Sequence, residues 1–490
     1  MAIPDSRAWW HKPKLVGAAV VGVLALAAGV VVGVRAMPVD CGGRDELVLV
    51  DEQCVGVADA DSGFDFGRPE YADVVRTIRE QNAAVADEPT AVSVVVLLAM
   101  TPGQESFELA EQVRHDALGA ARAQLVHNSS DSTPKLKLLL ANAGDRFEHW
   151  AEVVGRIDAR QAAPDRVVAV TGLGQSLETV HRAARALSGK KIPMVSSSLT
   201  SDEFNDVRGL LRPAPSNRAQ GGAAAEWAFD RIEENEPTAV LVVDKNEGDK
   251  YPASLAEGFQ SRIEQLGGKV GERVSYDSSA PIGTTIVVLE STLEAICAPE
   301  VDVVYFAGRG RDLALLVERL ALDRCGSGER LVLTGDDSLT ESQLGEARFQ
   351  SALRGSGVRI VATSLAVTGL DALRRSTPGT NRYLVDQFIG GAGGVPELDR
   401  AALGDDGTVL SYDAVWTVAK AAGKVSQQDE MSASAVGGMF DALRNDDGFA
   451  GVSGLLSYGE DGSATGKVVP LLEITPDGEP DLVFPELPGS

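Results

Sequence analysis

An α/β fold of two doubly wound, Rossmann-like lobes, preceded by one transmembrane helix, is what this sequence predicts. Three observations carry that reading. Residues 15–34, LVGAAVVGVLALAAGVVVGV, are an uninterrupted uncharged run. From Ala91 the chain alternates apolar strands with amphipathic helices, and at Thr238 the same alternation starts again.

The apolar run comes first. At ~1.5 Å per residue, a helix of that length spans the ~30 Å hydrocarbon core of a bilayer. Arg7, Lys12 and Lys14 precede it beside Trp9 and Trp10, whereas Arg35 alone follows before Asp40, Glu46 and Asp51. This asymmetry leaves residues 1–14 as a cytoplasmic tail and puts everything after Arg35 outside, a single-pass cell-membrane protein. A cleaved signal peptide carries an apolar stretch of about 7 to 15 residues, which this run exceeds, so the anchor is read as uncleaved. Pro38, Val39 and Asp40 before Cys41 are not the small apolar neighbours that lipid attachment needs, which leaves tethering to the helix.

Composition narrows the partners. The formal net charge of -26 repels nucleic acid and anionic lipid surfaces at long range. Four cysteines on an exported chain read as two disulfides, Cys41–Cys54 and Cys297–Cys325. In a parallel α/β layout Cys297 lies just before a strand and Cys325 ends the helix after it, so both sit at the amino-terminal edge of the sheet.

Residues 35–90 read as a linker and a stalk. They hold the first cysteine pair and ADADSGFDFG, whose acids lack the spacing of a calcium loop. Pro69 then opens a helix through Tyr71, Val74, Val75 and Ile78 to about Ala86, packed on the first lobe. VSVVVLL, KLKLLLA, RVVAV and IPMVSS follow as strands, with helices at about 105–124, Trp150–Ile157 and Ser176–Leu187 between them. The second set is AVLVVD, KVGERVSYD, VDVVYFAG and RLVLTGDD, with helices at Pro252–Leu266, about 285–296 and Asp312–Leu322. Continuous apolar strands separated by helices predict parallel sheets covered on both faces. A third block has a strand at GVRIVATSLA, helices near 380–390 and 410–422, and a closing hairpin turning at Asp461 and Gly462.

Taken in order, VTGLGQS (170–176), IPMVSSSLTSDEF (192–204), LRPAPSN (211–217), YPASLAEGFQSRIEQLGGKV (251–270), VVYFAGRGRDLALL, LVLTGDD, SYDAVW (411–416) and FAGVSGLLSYGEDG resemble the type I periplasmic binding proteins of the leucine/isoleucine/valine-binding class. The resemblance covers about residues 91–475. It implies three hinge crossings, near LRPAPSN, GVRIVATSLA and GFAGVSG, with a ligand held in the cleft between the lobes. The first lobe then takes 91–214 plus 357–448, and the second 215–356 plus 449–485.

Ser176 and the Ser196–Thr200 cluster, with Ser198 at its centre, follow apolar strands where the next helix begins. Hydroxyls, backbone N–H groups and positive helix ends converge there, a combination suited to a carboxylate. Helix capping is the competing use of such residues. The resemblance puts Ser176 and Thr200 on carboxylate-binding positions, Asp337 where an acid receives an α-amino group, with Asp336 next to it, and Tyr251 on a cradling aromatic. Arg309 stands near where relatives carry a tyrosine. Pointed inward, it or Arg311 implies a ligand with an extra negative charge or a planar acceptor.

Enzyme signatures fail on inspection. Gly172-Leu173-Gly174 lacks the third glycine of a dinucleotide loop, and no histidine follows His181 to complete a Ser-acid-His order. The five histidines show no metal-binding spacing. The sequence therefore predicts no enzyme, cofactor or metal, but a binding protein for a small amino-acid-like or carboxylate-bearing solute, working with an ABC permease. The alternative is a sensor ectodomain, which the short cytoplasmic tail disfavours because it holds no output domain.

Overall fold

Two seven-stranded sheets, each with helices packed on both faces, build the two lobes in a computed structural model. It describes residues 41, 46–59, 61–103, 109–232, 236–323, 325, 330–338, 344, 346–375, 380–391, 396–425, 430–444 and 448–485. The apolar run at 15–34 and the tail before it lie outside these. Among the described residues no helix is long and apolar enough to cross a membrane.

The first sheet contains β1 (Leu47–Val50), β2 (Gln53–Val57), β3 (Val92–Leu98), β4 (Leu136–Asn142), β5 (Val167–Gly172), β6 (Met194–Ser196) and β7 (Leu210–Leu211), in the order β1-β2-β4-β3-β5-β6-β7. From β4 to β7 it is parallel. Every residue of β3, VSVVVLL, is buried. Val94, Val96 and Leu98 enter the core on one face and Val95 and Leu97 the core on the other, the two-residue period of a strand covered on both sides.

The second sheet repeats the design with β8 (Thr238–Asp244), β9 (Lys269–Tyr276), β10 (Val303–Ala307), β11 (Arg330–Thr334) and β12 (Val358–Thr363). A short ribbon, β13 (Phe449–Ala450) with β14 (Leu455–Leu456), stands apart, and β15 (Leu471–Ile474) and β16 (Pro480–Phe484) then add antiparallel to β12. The chain thus passes between lobes three times: after β7, after β12 and before β15.

Five expectations change in detail. Residues 46–57 are not linker: β1 and β2 form a hairpin that pairs antiparallel with β4 and covers its open edge. The helix Ala72–Ala84 is equally part of the first lobe. Its Val74, Val75 and Ile78 are buried, and Asn82 both donates to Leu138 O (2.9 Å) and accepts from Leu138 N (3.0 Å). The second crossing lies after Thr363 rather than before Val358, because β12 pairs in register with β11. Val452, Leu456 and Tyr458 pack in the first lobe's core, so the third crossing falls near Pro470. Asp413 fixes this last boundary by accepting the N–H groups of Val452 (2.8 Å) and Ser453 (2.9 Å). Around Gly462, whose φ of 76° suits the turn, the chain folds back through an isolated antiparallel bridge, Tyr458–Ala464, and Ser463 bridges to Arg212, but no paired strands extend from it among the described residues. The closing hairpin is β15–β16 instead.

Both cysteine pairs are disulfides, with Cα–Cα separations of 5.5 Å for Cys41–Cys54 and 4.8 Å for Cys297–Cys325. Closing loops of these lengths contributes about 3 kcal/mol each by restricting the unfolded chain. Replacing Cys297 and Cys325 together by Ser should therefore lower unfolding free energy by about that amount in guanidinium titrations, with the native far-ultraviolet spectrum retained.

Candidate ligand cleft

All six residues expected at the site line one cleft between the lobes: Ser176, Ser198 and Thr200 from the first, Tyr251, Arg309 and Asp337 from the second. The cleft encloses about 80 Å³. At ~10–15 Å³ per water this is room for roughly six water-sized units, the scale of a small amino acid.

The first-lobe wall follows from strand ends. Beyond β5 the chain turns through Gln175 and Ser176 into the helix Glu178–Gly189, and beyond β6 Ser201 caps the short turn Asp202–Asp206. Ser176 Oγ accepts the N–H groups of Thr200 and Ser201, each at 3.2 Å. Those two N–H groups are therefore spent on the serine, and what Ser176 offers a ligand is its hydroxyl hydrogen. Thr200 is buried and its side chain lines the same wall. Ser198 Oγ donates to Gly174 O (2.9 Å) and so braces the loop.

The second-lobe wall is organised by Arg309, which faces inward and is 4 % exposed. Its Nε and Nη2 each donate at 2.8 Å to Asp249, its Nη1 contacts Asp337 Oδ2, and its guanidinium lies 4.4 Å from the centroid of the Tyr251 ring. Burial opposes this charge, but Asp249 outweighs it and holds the arginine above its usual pKa. Arg309 is thus neutralised within the protein, and its inward direction no longer calls for an extra negative charge on the ligand. Arg311 turns instead to Asp312 (3.0 Å) and is 45 % exposed. Tyr251 hydroxyl accepts Asp337 N (3.2 Å). Beside them, Asp336 Oδ1 has no hydrogen-bond partner, and burial raises this carboxyl's pKa above the usual range.

The lobes meet at one rim of the cleft. Lys250 N donates to Ser176 O (2.8 Å) and Glu178 N to Gly248 O (3.0 Å), an antiparallel bridge centred on Leu177 and Asp249. Lys250 Nζ adds ion pairs to Glu178 (3.1 Å) and Glu203 (3.0 Å).

Three acids on the wall were not anticipated: Asp116 in the helix Ala110–Asn128, and Asp405 and Asp406 at the start of the helix Asp406–Lys424. Asp406 Oδ2 accepts Leu365 N (2.9 Å) and Ser364 Oγ (3.0 Å). Burial, with Asp405 and Asp336 nearby, pushes its pKa up to about 7. Asp405 Oδ2 lies 2.7 Å from His115 Nδ1. Burial disfavours the imidazolium there, yet Asp405 wins and raises the histidine's pKa.

A doubly wound pair of lobes crossed three times, with a polar cleft between them, is the type I periplasmic-binding-protein fold. Residues 113–477 match the receptor family ligand binding region, and the chain belongs to that family. The fold is similar to a leucine-binding protein from Thermotoga maritima, at 19% identity over 80% of this chain and 97% of that one, TM-score 0.53. It is also similar to an ABC transporter substrate-binding protein from Desulfitobacterium hafniense in complex with Leu (16%, 80% and 100%, 0.56). A third is a branched-chain amino acid ABC transporter protein from Thermus thermophilus with bound valine (13%, 80% and 95%, 0.56). At these identities the likeness is one of fold. No curated protein matches the chain.

Two outcomes follow from the wall. Arg309→Met leaves Asp249 and Asp337 facing each other without their shared cation, and should destabilise the protein by about 3–5 kcal/mol in urea unfolding. Asp406 holds its proton more tightly folded than unfolded, so it makes stability fall as pH rises between its ordinary 3.8 and about 7. Melting curves across that window should show a shallower fall in Asp406→Asn than in the parent.

Proposed function

We propose that this protein is an extracytoplasmic solute-binding protein, not an enzyme, that captures an amino-acid-like ligand between its lobes for an ABC-type transporter. One observation carries the reading: hydroxyl donors of the first lobe and carboxylates of the second face each other across a cleft of amino-acid size. A zwitterion has the matching charges. Its carboxylate meets the hydroxyls of Ser176 and Thr200, near the positive end of the helix Glu178–Gly189. Its ammonium meets Asp336 and Asp337, where the partnerless Asp336 Oδ1 is ready to accept a charge-assisted bond. Tyr251 covers the apolar part of the ligand.

Because the two contact sets belong to different lobes, ligand favours the closed arrangement. The structural neighbours, transporter proteins carrying Leu or valine, support the same class of ligand. The run at 15–34 tethers the lobes to the membrane's outer side, in keeping with two disulfides in an oxidising compartment.

Calorimetry with the twenty amino acids tests the reading. With a ligand that binds, Ser176→Ala should weaken affinity by about 1–2 kcal/mol, as expected for one hydrogen bond to a charged group. Asp336→Ala should weaken it by about 2–5 kcal/mol, the range for truncating one partner of a buried charge pair. Unchanged affinity in both variants would remove the zwitterion from this cleft.

A further inference from the structure

Most of the cleft's charge is answered by the protein itself. Asp405 Oδ2 lies against His115 while its Oδ1 accepts Gly407 N (2.8 Å), Asp116 accepts Ser411 Oγ (3.1 Å), and Asp406 accepts Ser364 Oγ and Leu365 N. Arg309 is held by Asp249 and Asp337. The described wall therefore keeps no cation for an acidic side chain. Its one carboxylate oxygen with no partner, Asp336 Oδ1, is taken by the α-ammonium that every amino acid carries.

Apolar surface is as scarce. Leu365 is buried in a small cluster with Ala214 and Leu410, and the Arg309 guanidinium lies over the Tyr251 ring. A branched aliphatic side chain would meet mostly polar walls.

One polar group is left over. Gln175 lines the cleft, is 9 % exposed, and its carboxamide makes no hydrogen bond among the described residues. The loop that carries it is fixed in shape. Gly172, Leu173 and Gly174 all take positive φ (88°, 70° and 56°), a region leucine seldom enters, and Ser198 Oγ donates to Gly174 O (2.9 Å). The carboxamide thus presents an unspent donor and an unspent acceptor. Once a ligand expels water from the site, an apolar side chain strands that amide at a cost, whereas a hydroxyl or a second amide satisfies it.

We infer that the solute is a small amino acid with an uncharged polar side chain, a hydroxyl or a carboxamide, and that Gln175 reads that group. This rests on the cleft being the solute site proposed above. Ser176, Thr200 and the second-lobe carboxylates serve the zwitterion common to all amino acids, so Gln175 is where the side chain is chosen. Valine and leucine, carried by the structural neighbours, are close in shape to threonine and asparagine. A cleft of this size admits either member of each pair, and polarity decides between them.

The test is calorimetric titration of the full chain in detergent with L-threonine against L-valine and L-asparagine against L-leucine, with L-glutamate and L-lysine as charged comparators. At least one polar member should bind about tenfold or more tighter than its apolar counterpart, and Gln175→Met should reduce that ratio to within roughly threefold of unity, because a buried amide left unpaired discriminates strongly. Gln175→Leu is the second variant if the first does not fold. Valine or leucine binding as tightly as its polar counterpart, or a charged amino acid binding as tightly as the better polar one, overturns the assignment. So does an equal loss of affinity for both members of a pair in the variant, which would put Gln175 on the α-carboxylate. All of these leave the solute-binding reading standing. Binding by none of the twenty amino acids overturns both.

Discussion

The buried ion pair between Asp249 and Arg309 is the contact on which the site depends. Asp249 accepts both 2.8 Å bonds from the guanidinium and also Tyr251 N (3.0 Å), while its backbone faces Leu177 across the lobe boundary. One residue therefore fixes the arginine, the start of the helix Tyr251–Leu266 and the rim where the lobes touch. A guanidinium removed from water is costly unless its donors are met, and here two carboxylates and an aromatic face meet them. The rest of the second-lobe wall is arranged around that solution, with Tyr251 hydroxyl and Asp337 held on either side of the same guanidinium.

The two walls differ in the mobility they allow. Ser176, Thr200 and Ser201 are tied to each other by backbone donors, so the hydroxyl wall is set by the first lobe alone. The carboxylates of Asp336 and Asp337 ride on the second lobe, just beyond β11. A ligand spanning both must be matched by a particular relation of the lobes, and the bridge at Leu177–Asp249 supplies it. Lys250 is only partly exposed, but its partners Glu178 and Glu203 stand more open to solvent, and such pairs add little on their own. The backbone bridge, not the ion pairs, sets the geometry.

Much of this was legible in the sequence because strands buried on both faces have no polar alternation to hide them. VSVVVLL and AVLVVD read plainly as central strands, and Ser176 and Thr200 stand where such strands end. What was not legible depends on distance along the chain. Asp249 and Arg309 are 60 residues apart and His115 and Asp405 are 290 apart, and nothing local marks either pair. Asp116 and Asp406 lie on helices and Asp405 caps one, in an acidic chain where solvated faces explain most acids. β1 and β2 escaped because four- and five-residue strands beside a cysteine look like linker until a partner edge is known. β12 was placed in the wrong lobe because an apolar strand carries no signal of which sheet it joins.

The central claim is that both lobes grip one zwitterion, and a crystal structure of the protein grown with a saturating concentration of whichever of the twenty amino acids binds it tightest tests it most directly. The account predicts density between the lobes with the α-carboxylate against Ser176 and Thr200 and the α-ammonium against Asp336 and Asp337. An amino acid bound to one lobe alone, or held outside the cleft, would contradict it.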